Sequence, residues 1–173
     1  MKLSQGEYVA LEKIENVYAA CPLVQQIYVH GDSLQSFLVA VMVPDPVVLA
    51  KVASEVWKKT VSEMDKKALD EAVKDEMVVK AVLDVLTKDG VRYGLNGYVF
   101  FPFRQSYGCV TLGPRRYELV KRLYLINDLF SVENRCLTPT MKIRRKEVQK
   151  RYKAELDALY SLGEPTSSPS SRL

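Results

Sequence analysis

The chain has 173 residues, 47% of them apolar and 27% charged, and a net charge of +4. That length suits one domain or a small domain with appendages, and the balance is that of an ordinary globular protein with a real core. The slight positive charge favours anionic partners such as nucleotides, CoA or acidic lipid headgroups, and it is too small to argue for nucleic acid. Three widely spaced cysteines, Cys21, Cys109 and Cys136, match no zinc spacing and cannot all pair, and a single histidine excludes His-rich metal sites. No apolar run approaches the ~20 residues that a membrane span needs. The first residues lack the apolar stretch of a secretory signal, so a reducing, intracellular compartment is expected.

Along the chain, residues 11–20 predict a short helix with Leu11, Ile14, Val17 and Tyr18 on one face, stopped by Pro22. Residues 24–29 and 37–43 are β-rich runs around His30-Gly31-Asp32-Ser33, which predicts a hairpin with Gly-Asp in the turn and His30 exposed. The second run is apolar on both faces and reads as a buried strand. Asp45 can cap the next helix, with Pro46 at its first position; that helix runs to about Lys59 and carries Trp57. Residues 65–88 keep a helical period through Leu69, Val73, Val79, Val82, Leu83 and Leu86, and Asp89-Gly90 should close that helix. A further strand is expected over residues 118–126. A final amphipathic helix follows over 146–162, with Val148, Tyr152, Leu156 and Leu159 on one stripe. Residues 163–173, rich in Ser and Pro, are expected to be disordered. The fold class is therefore α+β: a small mixed β-sheet with a β-hairpin, packed by several helices.

Two segments carry a family resemblance. Lys2-Leu3-Ser4-Gln5-Gly6-Glu7-Tyr8-Val9-Ala10, followed by Glu12-Lys13-Ile14-Glu15, resembles the segment that opens the mobile C-terminal domain of adenylate-forming enzymes, in the wording of long-chain fatty-acyl-CoA synthetases. Leu137-Thr138-Pro139-Thr140-Met141-Lys142-Ile143-Arg144-Arg145 resembles the last core motif of that family, which holds its catalytic lysine. His30-Gly31-Asp32-Ser33 and Pro44-Asp45-Pro46 match the long-chain group between them, so the resemblance covers residues 2–162 in order and spacing.

The resemblance implies a C-terminal lid domain and a two-step reaction. ATP and a fatty acid give acyl-adenylate and pyrophosphate, and CoA then displaces AMP. The lid rotates between the steps and offers a different face to each. Lys142 is the implied catalytic residue. A carboxylate must meet the α-phosphate, and an ammonium reaching both offsets the repulsion. Without the motif, Lys142 would read as a solvated lysine at the head of a basic helix. Gln5, Gly6 and Glu7 are the implied CoA-channel face, with Gly6 allowing close backbone approach; the plainer reading is a turn before the helix. Arg144 and Arg145 are candidate phosphate contacts. ATP with Mg2+ serves the complete enzyme, and none is expected to be bound by this chain alone. The implied partners are an N-terminal adenylation domain, CoA and acyl-adenylate.

This sequence departs from the pattern in places. It opens just after the family's hinge residue and contains no glycine-rich phosphate loop, so the substrate domain is expected to be missing and the isolated chain inactive. Leu11 stands where relatives often have proline. Residues 99–117 form a family-atypical insert between Gly94-Leu95-Asn96-Gly97-Tyr98 and Glu118, with Phe100, Phe101 and Phe103 awkward on a surface. The competing readings are a non-catalytic interaction domain and a basic phosphate- or nucleic-acid-binding module using the last helix. The ending Ser171-Arg172-Leu173 is a close variant of the Ser-Lys-Leu address and implies peroxisomal delivery.

Overall fold

A computed structural model describes residues 1–95 and 118–164. The insert expected at 99–117 and the Ser171-Arg172-Leu173 ending lie outside the described residues.

The centre is a mixed sheet of β1 (Val24–His30), β2 (Leu38–Pro44) and β3 (Val120–Leu125), in that spatial order. β1 and β2 form the expected antiparallel hairpin, with Ile27 opposite Met42 and Val29 opposite Ala40. β3 joins parallel to β2, with Val41 opposite Tyr124. Every residue of β2 is buried, which explains its unbroken apolar run. Because side chains alternate across a strand, the sheet splits its residues between two cores. Ile27, Val29, Ala40, Met42, Leu123 and Leu125 pack beneath α1 (Leu11–Tyr18), α2 (Pro46–Trp57), α3 (Lys66–Ala72) and α4 (Glu76–Gly90). Tyr28, Val39, Val41 and Val43 face the other way, onto α5 (Arg145–Arg151) and α6 (Lys153–Ser161). The result is α+β, as expected.

Asp45 caps α2 as its sequence position implies, accepting from the N–H groups of Val47 and Val48 at 3.0 and 3.1 Å, with Pro46 in the first turn. Other boundaries differ from expectation. α2 stops at Trp57 because Lys58 turns left-handed, φ 54°. The single helix expected over 65–88 is two helices. Asp75 breaks it by accepting from Met77 and Val78 N–H at 2.7 and 3.2 Å, and it also takes the indole N–H of Trp57 at 2.9 Å. Those bonds, the indole's first, hold the Asp75 carboxyl below its ordinary pKa.

Gly90 does not stop its helix: the chain runs on through a π-helical turn, Val91–Leu95. Its role is close packing, since a Cβ there would sit 2.8 Å from Tyr18 Cε1 and 3.1 Å from Leu95 Cδ1. The last helix is likewise divided, at Tyr152 (φ −107°, ψ 26°), although Val148, Tyr152 and Leu156 remain buried on one stripe. Gly163 caps α6 in the left-handed region, φ 70°. The carbonyls of Leu162 and Gly163 accept from Arg122 at 2.9 and 2.7 Å. His30 is not an exposed hairpin residue. It is half-buried between Tyr28 and Tyr160, with Nδ1 3.3 Å from the Tyr28 hydroxyl.

Candidate functional site

Lys142 stands on a closed hairpin loop. Leu137 and Ile143 form a β-bridge, and Thr138 N–H donates to the Lys142 carbonyl at 2.8 Å. Between them, Met141 N–H donates to the Thr138 carbonyl at 2.9 Å, and Lys142 N–H donates to Thr138 Oγ1 at 3.1 Å. The Thr138 and Thr140 hydroxyls are bonded at 3.0 Å. The sequence accounts for this turn. Pro139 stiffens it by fixing one φ, and the Thr138 hydroxyl satisfies a backbone donor. Met141 closes the loop at φ 60°, the left-handed step of a three-residue hairpin loop.

The lysine side chain is exposed. Among the described residues the ion pairs are Lys13–Glu118 at 3.6 Å and Arg145–Glu15 at 2.8 Å, so no carboxylate there pairs with Lys142. Lys142 lines an open groove of about 720 Å³, walled by Glu12 and Asn16 of α1, Gln26 of β1, Phe130 and Arg145. The arrangement offers a mobile ammonium on a fixed backbone above a cleft of mixed polarity. That suits presentation of one positive charge to an anionic group.

Arg145 does something different from what its place in the motif suggests. Its Nη1 donates to both Glu15 oxygens at 2.9 and 2.8 Å, and Nη2 donates to the Val29 carbonyl at 2.6 Å. The guanidinium lies 5.0 Å from the Tyr28 ring centroid. Glu15 Oε1 also accepts from Val29 N–H at 2.8 Å. β1 is an edge strand, so the outward N–H and C=O of Val29 are both satisfied by this ion pair. Burial pushes the Glu15 carboxyl above its ordinary pKa, opposed by the Val29 N–H and by Arg145. Arg144, in contrast, is exposed.

Gln5, Gly6 and Glu7 form a separate exposed turn. Lys2 bridges Tyr8, Leu3 N–H donates to the Glu7 carbonyl and Gly6 N–H to the Leu3 carbonyl, both at 2.9 Å. Gly6 has φ 91°, which favours glycine, and a Cβ there would meet nothing nearer than Lys2 Cε at 3.9 Å. The requirement is conformational, within this chain, rather than steric. Gln5 Nε2 donates to the Ser36 carbonyl at 3.0 Å, and Ser4 N–H to the Gln35 carbonyl at 3.1 Å, tying the turn to the β1–β2 loop. None of the three lines the Lys142 groove, so the turn and the lysine loop are distinct surfaces.

Two residues here escape a reading of the sequence. Glu15 shares the apolar face of α1 with Leu11 and Tyr18, and a carboxylate on such a face signals a buried cationic partner. Gly31 lets the N-terminal hairpin dock, since a Cβ would lie 2.5 Å from Met1 Sδ and 2.9 Å from Leu38 Cδ2. Among the described residues no cluster of three or more His, Cys, Asp or Glu could hold a metal ion. No helix among them is long and apolar enough to cross a membrane.

No family model matches the sequence. The chain is 39% identical over 165 residues to long-chain-fatty-acid–CoA ligase 6 of Rattus norvegicus, covering 93% of the chain and 19% of that protein. It is 38% identical over 161 residues to the Homo sapiens ligase 6, again over 93% of the chain and 19% of the relative. The chain thus spans about a fifth of the length of these relatives. Among solved structures, it matches the A-PCP didomain of carboxylic acid reductase from Segniliparus rugosus in complex with AMP. There the TM-score is 0.66 and the identity 33%, over 94% of the chain and 17% of that protein. Similar along nearly its whole length to these ligases and folded like part of an adenylation domain, the chain is a homologue of the long-chain-fatty-acid–CoA ligases and belongs to the adenylate-forming superfamily.

Proposed function

We propose that this chain works as the mobile C-terminal lid domain of a long-chain-fatty-acid–CoA ligase. The observation that carries the reading is Lys142: exposed, without a carboxylate partner among the described residues, and set on a hydrogen-bonded hairpin loop beside an open groove. In the first step the fatty-acid carboxylate attacks the α-phosphate of ATP and pyrophosphate leaves. The Lys142 ammonium bridges the two anionic groups and stabilises the charge that develops between them. In the second step the CoA thiol attacks the acyl carbon and AMP leaves. The turn of Gln5, Gly6 and Glu7 faces that reaction after the lid rotates. Its separation from the lysine loop supports a two-faced domain.

ATP with its Mg2+, the fatty acid and CoA are substrates that an N-terminal adenylation domain would hold. Arg144 is the remaining candidate for a phosphate contact, because Arg145 is engaged with Glu15 and Val29. That engagement also weakens the reading as a basic phosphate-binding module, since it takes the head of the basic run out of play. Where Leu173 is the carboxyl terminus, Ser171-Arg172-Leu173 supports delivery to peroxisomes.

Complementation tests the reading. The region of rat ligase 6 homologous to this chain is replaced by the chain itself, with the human region as a positive control. Acyl-CoA formation from palmitate, ATP and CoA is expected with both. Activity with the human region and background with this chain would contradict the proposal.

A further inference from the structure

We infer that Glu15 and Arg145 form a positioning clamp that fixes the Lys142 loop for its work; the inference rests on the reading of Lys142 given above. The two residues are 130 positions apart, so their pairing is a tertiary contact between the start and the end of the chain. Lys142 and Arg145 are separated by two residues, so anchoring the guanidinium anchors one strand of the lysine hairpin. The anchor is directional. One guanidinium nitrogen spans both carboxylate oxygens of Glu15, the other holds the Val29 carbonyl, and Glu15 in turn holds the Val29 N–H. Three elements therefore meet at one point: α1, the edge of β1 and the start of α5. The Tyr28 ring beneath the guanidinium limits its tilt.

The remaining hydrogen bonds of the loop are short-range: the Leu137–Ile143 bridge, Arg144 N–H to the Cys136 carbonyl at 2.8 Å, and the Thr138 bonds. The base of the hairpin is also packed on the sheet, since Cys136 and Leu137 are buried with Tyr28, Val39 and Val41 and Ile143 lies against them. To that non-directional packing the clamp adds a polar, directional tie. It also forms part of the groove wall, since Glu15, Lys142 and Arg145 line the same cleft. Glu15 and Arg145 need touch no substrate for this; they act through the lysine.

The test uses Arg145→Lys, which keeps the charge but cannot span carboxylate and carbonyl together, and Glu15→Gln, which keeps an acceptor for Val29 N–H but removes the charge. In this chain, amide hydrogen exchange should accelerate at Met141 and Lys142 in both variants while the amides of β2 keep their protection. Unchanged exchange in the loop overturns the proposal. In the complemented ligase, at a temperature where melting shows the variants folded, adenylate formation should fall roughly 10- to 100-fold while acyl transfer from preformed adenylate changes by no more than about twofold. A clamp that merely stabilises the fold would lower both steps together or neither, and either result overturns the proposal. Lys142→Ala in the same enzyme separates the two ideas. If it leaves adenylation intact, the reading of the lysine fails and the clamp with it. If it slows adenylation and the clamp variants do not, the clamp alone fails.

Discussion

The hydroxyl of Tyr18, at the end of α1, accepts a hydrogen bond from the backbone N–H of Val120, the first residue of β3, at 3.1 Å. The two are 102 positions apart, and both are buried. Burial pushes the Tyr18 phenol up to about 12, so it stays neutral throughout the working range. Tyr18→Phe removes the acceptor and leaves a buried N–H without a partner. We expect a loss of about 1–3 kcal/mol of stability, read from urea unfolding of this chain. An unchanged midpoint would mean that Val120 finds another acceptor.

Gly90 tests the other side of the same tyrosine. Gly90→Ala improves helix propensity by about 0.8–1 kcal/mol in an unhindered helix. Here the new methyl meets the Tyr18 ring at 2.8 Å and Leu95 at 3.1 Å, and both are fully buried side chains with little room to give. Overpacking of this kind costs about 1–3 kcal/mol, so the net effect should be destabilising. A higher melting temperature would show that the contact between α1 and α4 can open at no cost.

His30 should give the fold a measurable pH dependence. Its ring is half-buried against Tyr28 and Tyr160, and burial lowers its pKa below the ordinary 6.5, opposed chiefly by Asp32. The unfolded chain therefore takes up the proton first as pH falls through 6.5, and stability is lost from there down to the folded-state value. Below that value the loss levels off. Unfolding free energies of the wild type and His30→Gln, measured between about pH 8 and 5, should differ in slope across this window. Parallel curves would contradict the assignment.

Cys21 and Cys136 should resist alkylation while the chain is folded. Both are buried. Burial, with the bond to Asp89 at 2.9 Å, raises Cys21 to about 11, and burial raises Cys136. The thiolate is the reactive form, so it is scarce at about pH 8. Mass spectrometry of each cysteine peptide after iodoacetamide treatment at that pH should show slow labelling of both, and rapid labelling after denaturation. Rapid labelling of native Cys21 would mean that the corner where α1 meets β1 opens readily.

Local signals in the sequence are enough for the hairpin, the buried β2, the Asp45 cap and the α+β class, because each depends on neighbours within a few residues. Breaks inside long periodic stretches are harder to see. Asp75 sits between two runs that share one helical period, so its capping role shows only once Trp57 reaches it from α2. Tyr152 keeps its place on the apolar stripe even though the helix divides there. Gly90 reads as a stop because glycine often is one, whereas its reason is Tyr18, far earlier in the chain, a distance no local pattern encodes. At the site, the motif locates Lys142, and the hairpin explains how it is presented. The pairing of Arg145 with Glu15 stays hidden, because charge alone does not reveal which arginine of a basic run faces inward.

The central claim is that Lys142 serves adenylate formation and not acyl transfer. The most direct measurement is Lys142→Ala in the complemented ligase, with the two half-reactions assayed separately: pyrophosphate release from ATP and palmitate, and acyl-CoA formation from preformed palmitoyl-adenylate. Loss of one transition-state stabilising group predicts a fall on the order of 100- to 1,000-fold in the first. The second should stay near the wild-type rate, because the proposal assigns it to the other face, the one that carries Gln5, Gly6 and Glu7. Equal losses in both steps, or an unchanged rate of pyrophosphate release, would contradict the account.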